Sequence, residues 1–241
     1  MLTQPTIFQI HGKSAIARVT HACTDKGQGK HRYAKARQLL EICAIDRIVM
    51  IRSLGAAGRF SDVEFVFVDR DGVINEKAPT GEYVYDWEHF RPLPGVEAAI
   101  AMLNNSGRKI IVVTNQRGVA LGRYQLRDVE QLHAHLQRHL ARFGARVDAF
   151  YVCPHDRNQC DCRKPKTGLL ERAFRDFPQA KQNSSVLIGD SLSDIQAAKN
   201  FEIRSILLRR QLPDLTLQQD EALKLATVTS GSLPEAVEIY F

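Results

Sequence analysis

The stretch Phe65-Val66-Phe67-Val68-Asp69-Arg70-Asp71-Gly72-Val73-Ile74-Asn75 decides the fold. A short apolar run from Val63 to Val68 ends in two aspartates that are two residues apart. The run has the length of one buried parallel strand and is too short for a typical helix. In an open α/β sheet the ligand lies beyond the carboxyl ends of the strands, so we expect Asp69 and Asp71 at the rim of a site.

Two carboxylates this close repel each other unless a cation or a shared proton lies between them. A hard, oxygen-binding ion such as Mg²⁺ is the simplest partner for Asp69 and Asp71. Gly72 then lets the backbone turn sharply. The alternative is a strand that ends in an Asx turn with both aspartates solvated.

The composition is that of an ordinary globular chain, with 241 residues, 44% of them hydrophobic and 25% charged. This length fits one domain with a possible appendage. No apolar run reaches the ~20 residues of a membrane span, and the N-terminus lacks the apolar core of a secretory signal. We therefore expect a cytoplasmic monomer with no membrane partner.

The basic character of the chain is confined to its N-terminal quarter. The net charge is +6, and ten Lys/Arg against three Asp/Glu give residues 1–60 a charge of +7. We predict a basic extension over 1–61, either disordered or loosely docked, and a folded domain over 62–241 that carries the site. The extension is either a genuine appendage or an over-long reading of the gene, since Met50 offers a start. We expect no nucleic-acid partner because no aromatic residues are interleaved with the basic ones.

Strand and helix patterns alternate after Val63. Strands are predicted over 63–68, 109–113, 149–152, 185–188 and 204–208, and helices over 96–104, 125–143, 167–176, 193–200, 218–226 and 233–239; a further helix is predicted within 30–50. Such alternation implies right-handed crossovers and a parallel sheet. The prediction is a three-layer α/β fold with helices on both faces, a minimal cap and a zinc-braced loop. A large cap is excluded because no insertion of ~100 residues separates the motifs.

Chemistry-bearing groups follow the predicted strands: Asp69 and Asp71 the first, Thr114 and Asn115 the second, three cysteines the third and Asp190 the fourth. Together with Lys164, the oxygen-bearing groups among them describe phosphoryl transfer. Asp69 would attack phosphorus and Asp71 would act as general acid and base. Asp190 would complete a Mg²⁺ site with Asp69 and the backbone carbonyl of Asp71. Thr114 and Lys164 would stabilise the phosphoryl group.

Each of these residues also has a simpler explanation. Thr114 and Asn115 could cap a turn. Asp190 and Asp194 could cap the helix that follows them. Lys164 could be an ordinary solvated lysine.

A second metal site is indicated by three cysteines and a histidine within ten residues. Cys153, His155, Cys160 and Cys162 form a closed tetrahedral ligand set that suits structural Zn²⁺ and leaves no position for a reactive water. The alternative is a group of reduced thiols beside a strand.

These motifs resemble those of the haloacid dehalogenase (HAD) superfamily of phosphohydrolases. The resemblance rests on Asp69-x-Asp71-Gly72-Val73, Thr114-Asn115, Lys164 and Gly189-Asp190-x-x-x-Asp194, and it covers roughly residues 63–210. It implies a nucleophilic Asp69, an acid/base Asp71 and a Mg²⁺-binding Asp190.

The block around the cysteines is similar to two phosphatase families, which act on D-glycero-D-manno-heptose 1,7-bisphosphate and on histidinol phosphate. This resemblance implies that Arg163 contacts the unreacting part of the substrate and that Asn115, Gln116 and Arg117 line the pocket. An arginine fork suits a second phosphate, which favours the heptose bisphosphate over histidinol phosphate. The short gap between His155 and Cys160 is more typical of histidinol phosphatases. A non-catalytic zinc-bearing binding module is the alternative from another class.

Overall fold

The computed structural model describes residues 60–209 and 217–241. Phe60 is the first described residue, and its N–H donates to the carbonyl of Tyr240 at 2.6 Å. The Phe60 ring also contacts the rings of Tyr240 and Phe241, with centroids 5.7 Å apart in both pairs. Phe60, which the prediction assigned to the extension, therefore packs on the domain. The helix predicted within 30–50 lies outside the described residues.

One parallel sheet forms the centre of the domain. Its strands are β1 (Phe65–Val68), β2 (Lys109–Asn115), β3 (Ala149–Cys153), β4 (Ser185–Gly189), β5 (Arg204–Leu208) and β6 (Val228–Ser230). They lie in the order β3-β2-β1-β4-β5-β6, and every pairing is parallel. The predicted parallel sheet is confirmed. The prediction missed β6, because three residues are too few to show a periodicity.

Helices cover both faces of the sheet, as predicted. They are α1 (Val96–Asn105), α2 (Leu126–Ala141), α3 (Gly168–Asp176), α4 (Leu192–Asn200), α5 (Leu217–Leu225) and α6 (Leu233–Tyr240). Side chains of α1, α2 and α6 share one core cluster with alternate residues of the strands. Side chains of α3 and α4 share a second cluster with the opposite face of the sheet. The fold is therefore the three-layer arrangement expected from the sequence.

The central strand β1 explains why the site forms where it does. Val66 and Val68 point to one core cluster and Phe65 and Phe67 to the other, so a strand buried on both faces reads as a continuous apolar run. The chain crosses from β1 to β2 on one side and later returns to β4 on the other. Ligands bind at such a switch of strand order, beyond the carboxyl ends of the strands. The residues that follow β1, β2 and β4 therefore meet at one place.

Long connections rim this place and form the small cap. Between β1 and α1, residues 69–95 contain only isolated bridges, such as Asn75 with Pro92. The connection between β3 and α3 contains no helix or strand either. Within 60–209 and 217–241 no helix is both long and apolar enough to span a membrane.

Candidate active site

Asp69 is the first residue after β1, and two donors hold its carboxylate in place. The Arg70 N–H donates to Asp69 Oδ1 at 2.7 Å, and Lys164 Nζ lies 2.9 Å from the same oxygen. Burial raises the pKa of Asp69 to about 7, with Lys164 opposing the shift and the neighbouring carboxylates adding to it. Asp69 therefore lies in a crowded acidic site that favours a bound cation.

Lys164 lies at the centre of this site and is only 3% exposed. Its ammonium is 2.6 Å from Asp194 Oδ1 and donates to the carbonyl of Val113 at 2.7 Å. The side chain of Asn115 holds the Lys164 backbone, donating to its carbonyl and accepting from its N–H, both at 3.1 Å. A solvated surface lysine is therefore excluded. Asn115, predicted to line the pocket, uses its amide to position Lys164.

Three carboxylates converge beside the lysine. One oxygen each of Asp69, Asp190 and Asp194 lie within 4.8 Å of one another. Asp190 Oδ1 is buried without a hydrogen-bond partner, and burial raises the pKa of this residue. Asp194 and Ser191 also form the capping box of α4. Asp194 therefore caps the helix, as the simpler explanation proposed, and pairs with Lys164 as well. An orphaned buried oxygen among three carboxylates fits a hard divalent cation.

Gly72 makes this convergence possible. Its φ is +93°, and a Cβ at this position would lie 1.9 Å from Asp190 Oδ2. The turn also brings Lys77 to the site, with Nζ 2.7 Å from Asp190 Oδ2. Sequence reasoning missed Lys77, because its contact depends on the path of a loop that no periodicity predicts.

Asp71 points away from the three carboxylates and into a network of donors. Arg70 Nη2 lies 2.9 Å from both carboxylate oxygens, Asn75 donates to Oδ1 at 2.9 Å and Gln116 donates to Oδ2 at 3.0 Å. Burial raises the pKa of Asp71, but the charge of Arg70 and the hydrogen bonds from Asn75, Arg70 and Gln116 outweigh it and lower the pKa. The side chain of Asp71 is thus outside the metal cluster; its backbone carbonyl remains the predicted ligand.

Thr114 is the second-last residue of β2, Gln116 is the first residue after the strand, and both are buried. Gln116 Nε2 donates to Thr114 Oγ1 at 2.9 Å, and Gln116 Oε1 accepts from the Tyr124 hydroxyl at 2.8 Å. Gln116 is 2% exposed and its amide is fully engaged, so it has no free group to offer a substrate. The pocket-lining role predicted for Gln116 does not fit this placement. Tyr124 was not predicted, since it lies eight residues beyond Gln116 in a turn.

The four predicted zinc ligands meet at the end of β3. The shortest distances between them are 3.3 Å from His155 Nδ1 to Cys162 Sγ, 3.4 Å between Cys160 and Cys162 Sγ, and 3.6 Å between Cys153 and Cys160 Sγ. All four ligand atoms lie within 4.8 Å of one another, and the three thiols form no disulfide. Tetrahedral Zn²⁺ with Zn–S bonds of about 2.3 Å sets sulfur atoms about 3.8 Å apart, so this cluster fits zinc.

Two arginines lie beside this cluster. Arg117 forms a two-pronged ion pair with Asp156, through Nε and through Nη2, which is 3.3 Å from Oδ2. Arg163 is partly exposed, and its Nη1 donates to the carbonyl of His155 at 3.4 Å. Arg163 precedes the buried Lys164 and so stands at the edge of the site.

Known proteins share this architecture. A D-glycero-alpha-D-manno-heptose-1,7-bisphosphate 7-phosphatase of Mycobacterium bovis is 46% identical over 136 residues, which cover 56% of this chain and 71% of the relative. A D-glycero-beta-D-manno-heptose-1,7-bisphosphate 7-phosphatase of Pseudomonas aeruginosa is 34% identical over 70% of this chain and 97% of its own. The chain belongs to this phosphatase family.

A structural comparison and a family model agree with the assignment of this chain to the phosphatase family. The crystal structure of a D,D-heptose 1,7-bisphosphate phosphatase from B. bronchiseptica, complexed with magnesium and phosphate, superposes with a TM-score of 0.63 at 28% identity. The match covers 73% of this chain and 97% of that protein. The HAD-hydrolase-like family model matches residues 161–226. The resemblance inferred from the motifs is confirmed: the chain is a HAD-type phosphoric ester hydrolase.

Proposed function

We propose that this phosphatase removes the 7-phosphate of D-glycero-D-manno-heptose 1,7-bisphosphate through an aspartyl phosphate on Asp69. The observation that carries the proposal is the buried group of Asp69, Lys164, Asp190 and Asp194 at the carboxyl ends of β1 and β4. Relatives that act on this bisphosphate supply the substrate.

Asp69 is the nucleophile. Both of its donors contact Oδ1, so we assign the attack on phosphorus to Oδ2. The attack forms the Oδ2–P bond and breaks the bond between phosphorus and the oxygen on C7 of the sugar. Water then attacks phosphorus, releases inorganic phosphate and restores the carboxylate.

Asp71 moves the protons of both steps. In the first step the leaving oxygen takes a proton from Asp71, and in the second step the Asp71 carboxylate takes a proton from water. The surrounding donors hold the carboxylate form that the second step needs. A phosphate anion bound beside Asp71 favours its protonated form, which the first step needs.

Thr114 and Lys164 stabilise the phosphoryl oxygens. Lys164 is fixed by two carboxylates and a backbone carbonyl, so its charge is oriented before substrate binds. Such preorganised charge is the main contribution that a protein makes to phosphoryl transfer.

Asp69 and Asp190 would hold Mg²⁺, with the carbonyl of Asp71 as a further ligand. The orphaned Asp190 Oδ1 and the three converging carboxylates fit this ion. When bound, Mg²⁺ lowers the repulsion between the anionic nucleophile and an anionic phosphate. The Lys77 ammonium, 2.7 Å from Asp190 Oδ2, would lie close to this ion and oppose its binding.

We assign Arg163 to the phosphate on C1, because its fork is partly exposed beside Lys164 and suits bidentate phosphate binding. Arg117 lies beside it, tied to Asp156 of the loop between the zinc ligands. Zn²⁺ on Cys153, His155, Cys160 and Cys162 would brace this loop.

The experiment is phosphate release with Mg²⁺ from a panel of both anomers of the heptose 1,7-bisphosphate, fructose 1,6-bisphosphate and histidinol phosphate. Asp69→Asn controls for contaminating phosphatase. We expect a heptose anomer to have the highest kcat/KM and Arg163→Met to raise KM for the bisphosphate without affecting histidinol phosphate. A preference for histidinol phosphate would overturn the substrate assignment. Turnover that survives Asp69→Asn would overturn the mechanism.

A further inference from the structure

We infer that Gln116 is a positioning residue that sets the direction of the hydrogen bonds of Asp71 and Thr114. The inference rests on the proposed function, since it assigns these two groups to proton transfer and phosphoryl binding. Gln116 Nε2 lies 3.0 Å from Asp71 Oδ2 and 2.9 Å from Thr114 Oγ1. One amide group therefore joins the acid/base to the phosphoryl-binding hydroxyl.

The chemistry of the partners fixes the orientation of this amide. A carboxylate only accepts hydrogen bonds, so the NH₂ group of Gln116 has to face Asp71. Its two hydrogens are then shared between Asp71 and Thr114. The carbonyl Oε1 faces Tyr124, whose hydroxyl donates to it at 2.8 Å. The Thr114 oxygen accepts from the amide, so its single hydrogen is left to donate to a phosphoryl oxygen.

Tyr124 and the backbone prevent the amide from turning over. The Gln116 N–H donates to the carbonyl of Cys153 at 2.8 Å, which fixes the main chain beside β3. The Tyr124 ring stacks on Tyr85 with centroids 4.9 Å apart. A Cβ on Gly118 would lie 2.1 Å from the Tyr124 ring, so only glycine lets the ring approach this closely. Burial raises the pKa of Tyr124 to about 12, so its hydroxyl stays protonated near neutral pH and remains a hydrogen-bond donor to Gln116.

The consequence depends on the leaving group. A sugar alkoxide is a strong base and has to be protonated as it departs, whereas p-nitrophenolate leaves without a proton. Misplacing Asp71 therefore slows the release of an alcohol far more than the release of p-nitrophenolate. A variant whose fold is merely loosened would lose both activities alike.

The test compares Gln116→Met with Gln137→Met, in the Mg²⁺-loaded full chain. Gln137 is a matched control because its carbonyl accepts one backbone N–H, that of Val147, at 3.1 Å and does not contact Asp71. The substrates are the heptose bisphosphate and p-nitrophenyl phosphate. General acid catalysis contributes roughly 10²-fold or more, so we expect Gln116→Met to lower kcat/KM, which reports the steps up to departure of the leaving group, about 100-fold on the sugar phosphate and only a few-fold on p-nitrophenyl phosphate. Gln137→Met should leave the ratio of the two rates unchanged.

Tyr124→Phe provides a second variant if Gln116→Met does not fold, because it keeps the amide and removes only the hydroxyl that holds the amide oxygen. We expect a smaller loss with the same bias toward the sugar phosphate. Equal losses of kcat/KM on both substrates, in a variant that folds and with an active wild type, would overturn the role of Gln116 alone. A wild type without Asp69-dependent turnover would overturn the proposed function and this inference with it.

Discussion

Replacing Lys164 with methionine tests whether its ammonium group stabilises the buried carboxylates of the site. The lysine side chain is 2% exposed and that of Asp194 is 0% exposed, with 2.6 Å between Nζ and Oδ1. Methionine fills a similar volume but leaves Asp69 and Asp194 without their shared cation. Breaking a buried pair by removing one partner typically costs about 3–5 kcal/mol, because the other charge stays buried without compensation.

The assay is urea unfolding of the zinc-loaded, Mg²⁺-free protein, which gives the free energy of unfolding. In a thermal melt of the same protein, this loss of stability should lower Tm by roughly 10 °C, at about 3 °C per kcal/mol for a domain of this size. The double variant Lys164→Met/Asp194→Asn should be more stable than the single Lys164→Met, because it removes the stranded charge. Lys166→Met is the control, since Lys166 makes an exposed ion pair with Asp161, and we expect no measurable change there.

Two results would refute this reasoning. A loss below about 1 kcal/mol for Lys164→Met would mean that the buried carboxylates do not depend on the lysine, since 3–5 kcal/mol is typical of a broken buried pair. Additive losses in the double variant would mean that Lys164 and Asp194 do not interact, since groups in contact show coupling in a double-mutant cycle.

Three further predictions concern the metals and the core. Lys77→Met should tighten Mg²⁺ binding up to about 5-fold by calorimetry, since the half-exposed ammonium of Lys77, worth at most ~1 kcal/mol, no longer competes with the ion for Asp190; weaker binding would contradict this. His133 is 5% exposed, and burial together with Arg70 lowers its pKa to about 3. As the pH falls, the unfolded chain therefore binds a proton on His133 before the folded chain does. From pH 7 to pH 5 we expect the free energy of unfolding, measured in urea, to fall by about 2 kcal/mol more in the wild type than in His133→Gln. An equal fall in the two proteins would exclude this role of His133. Zinc chelation should raise KM for the bisphosphate and lower Tm, because the loop that carries Arg163 loses its brace; unchanged values of both would count against a structural zinc.

Much of the fold could be predicted because β1 and its parallel neighbours are buried on both faces and therefore read as uninterrupted apolar runs. Each of these runs ends in a chemically distinctive group, so the convergence of Asp69 and Asp190 follows from the parallel topology. Lys164 comes from the loop after β3, whose path the topology does not predict. The zinc ligands were predictable because their short spacing forces the four side chains together.

The rest of the site depends on side-chain directions that spacing does not encode. Arg70 lies between the two aspartates in sequence, yet only its buried conformation shows that it neutralises Asp71. Gln116 was predicted to line the pocket, but the hydroxyl of Tyr124 and the carboxylate of Asp71 consume its amide. Lys77 reaches Asp190 through a turn at Gly72 whose path depends on a positive φ. Sequence periodicity predicts strands and helices, whereas these contacts arise in irregular loops.

The most direct test of the account is the identity of the product. The ³¹P NMR spectrum of heptose 1,7-bisphosphate after incubation with the Mg²⁺-loaded enzyme shows which phosphate has been removed. We expect inorganic phosphate and heptose 1-phosphate to form together, with the C1 phosphate intact, and Asp69→Asn to produce neither. Heptose 7-phosphate as the product, or release of phosphate by Asp69→Asn, would contradict it.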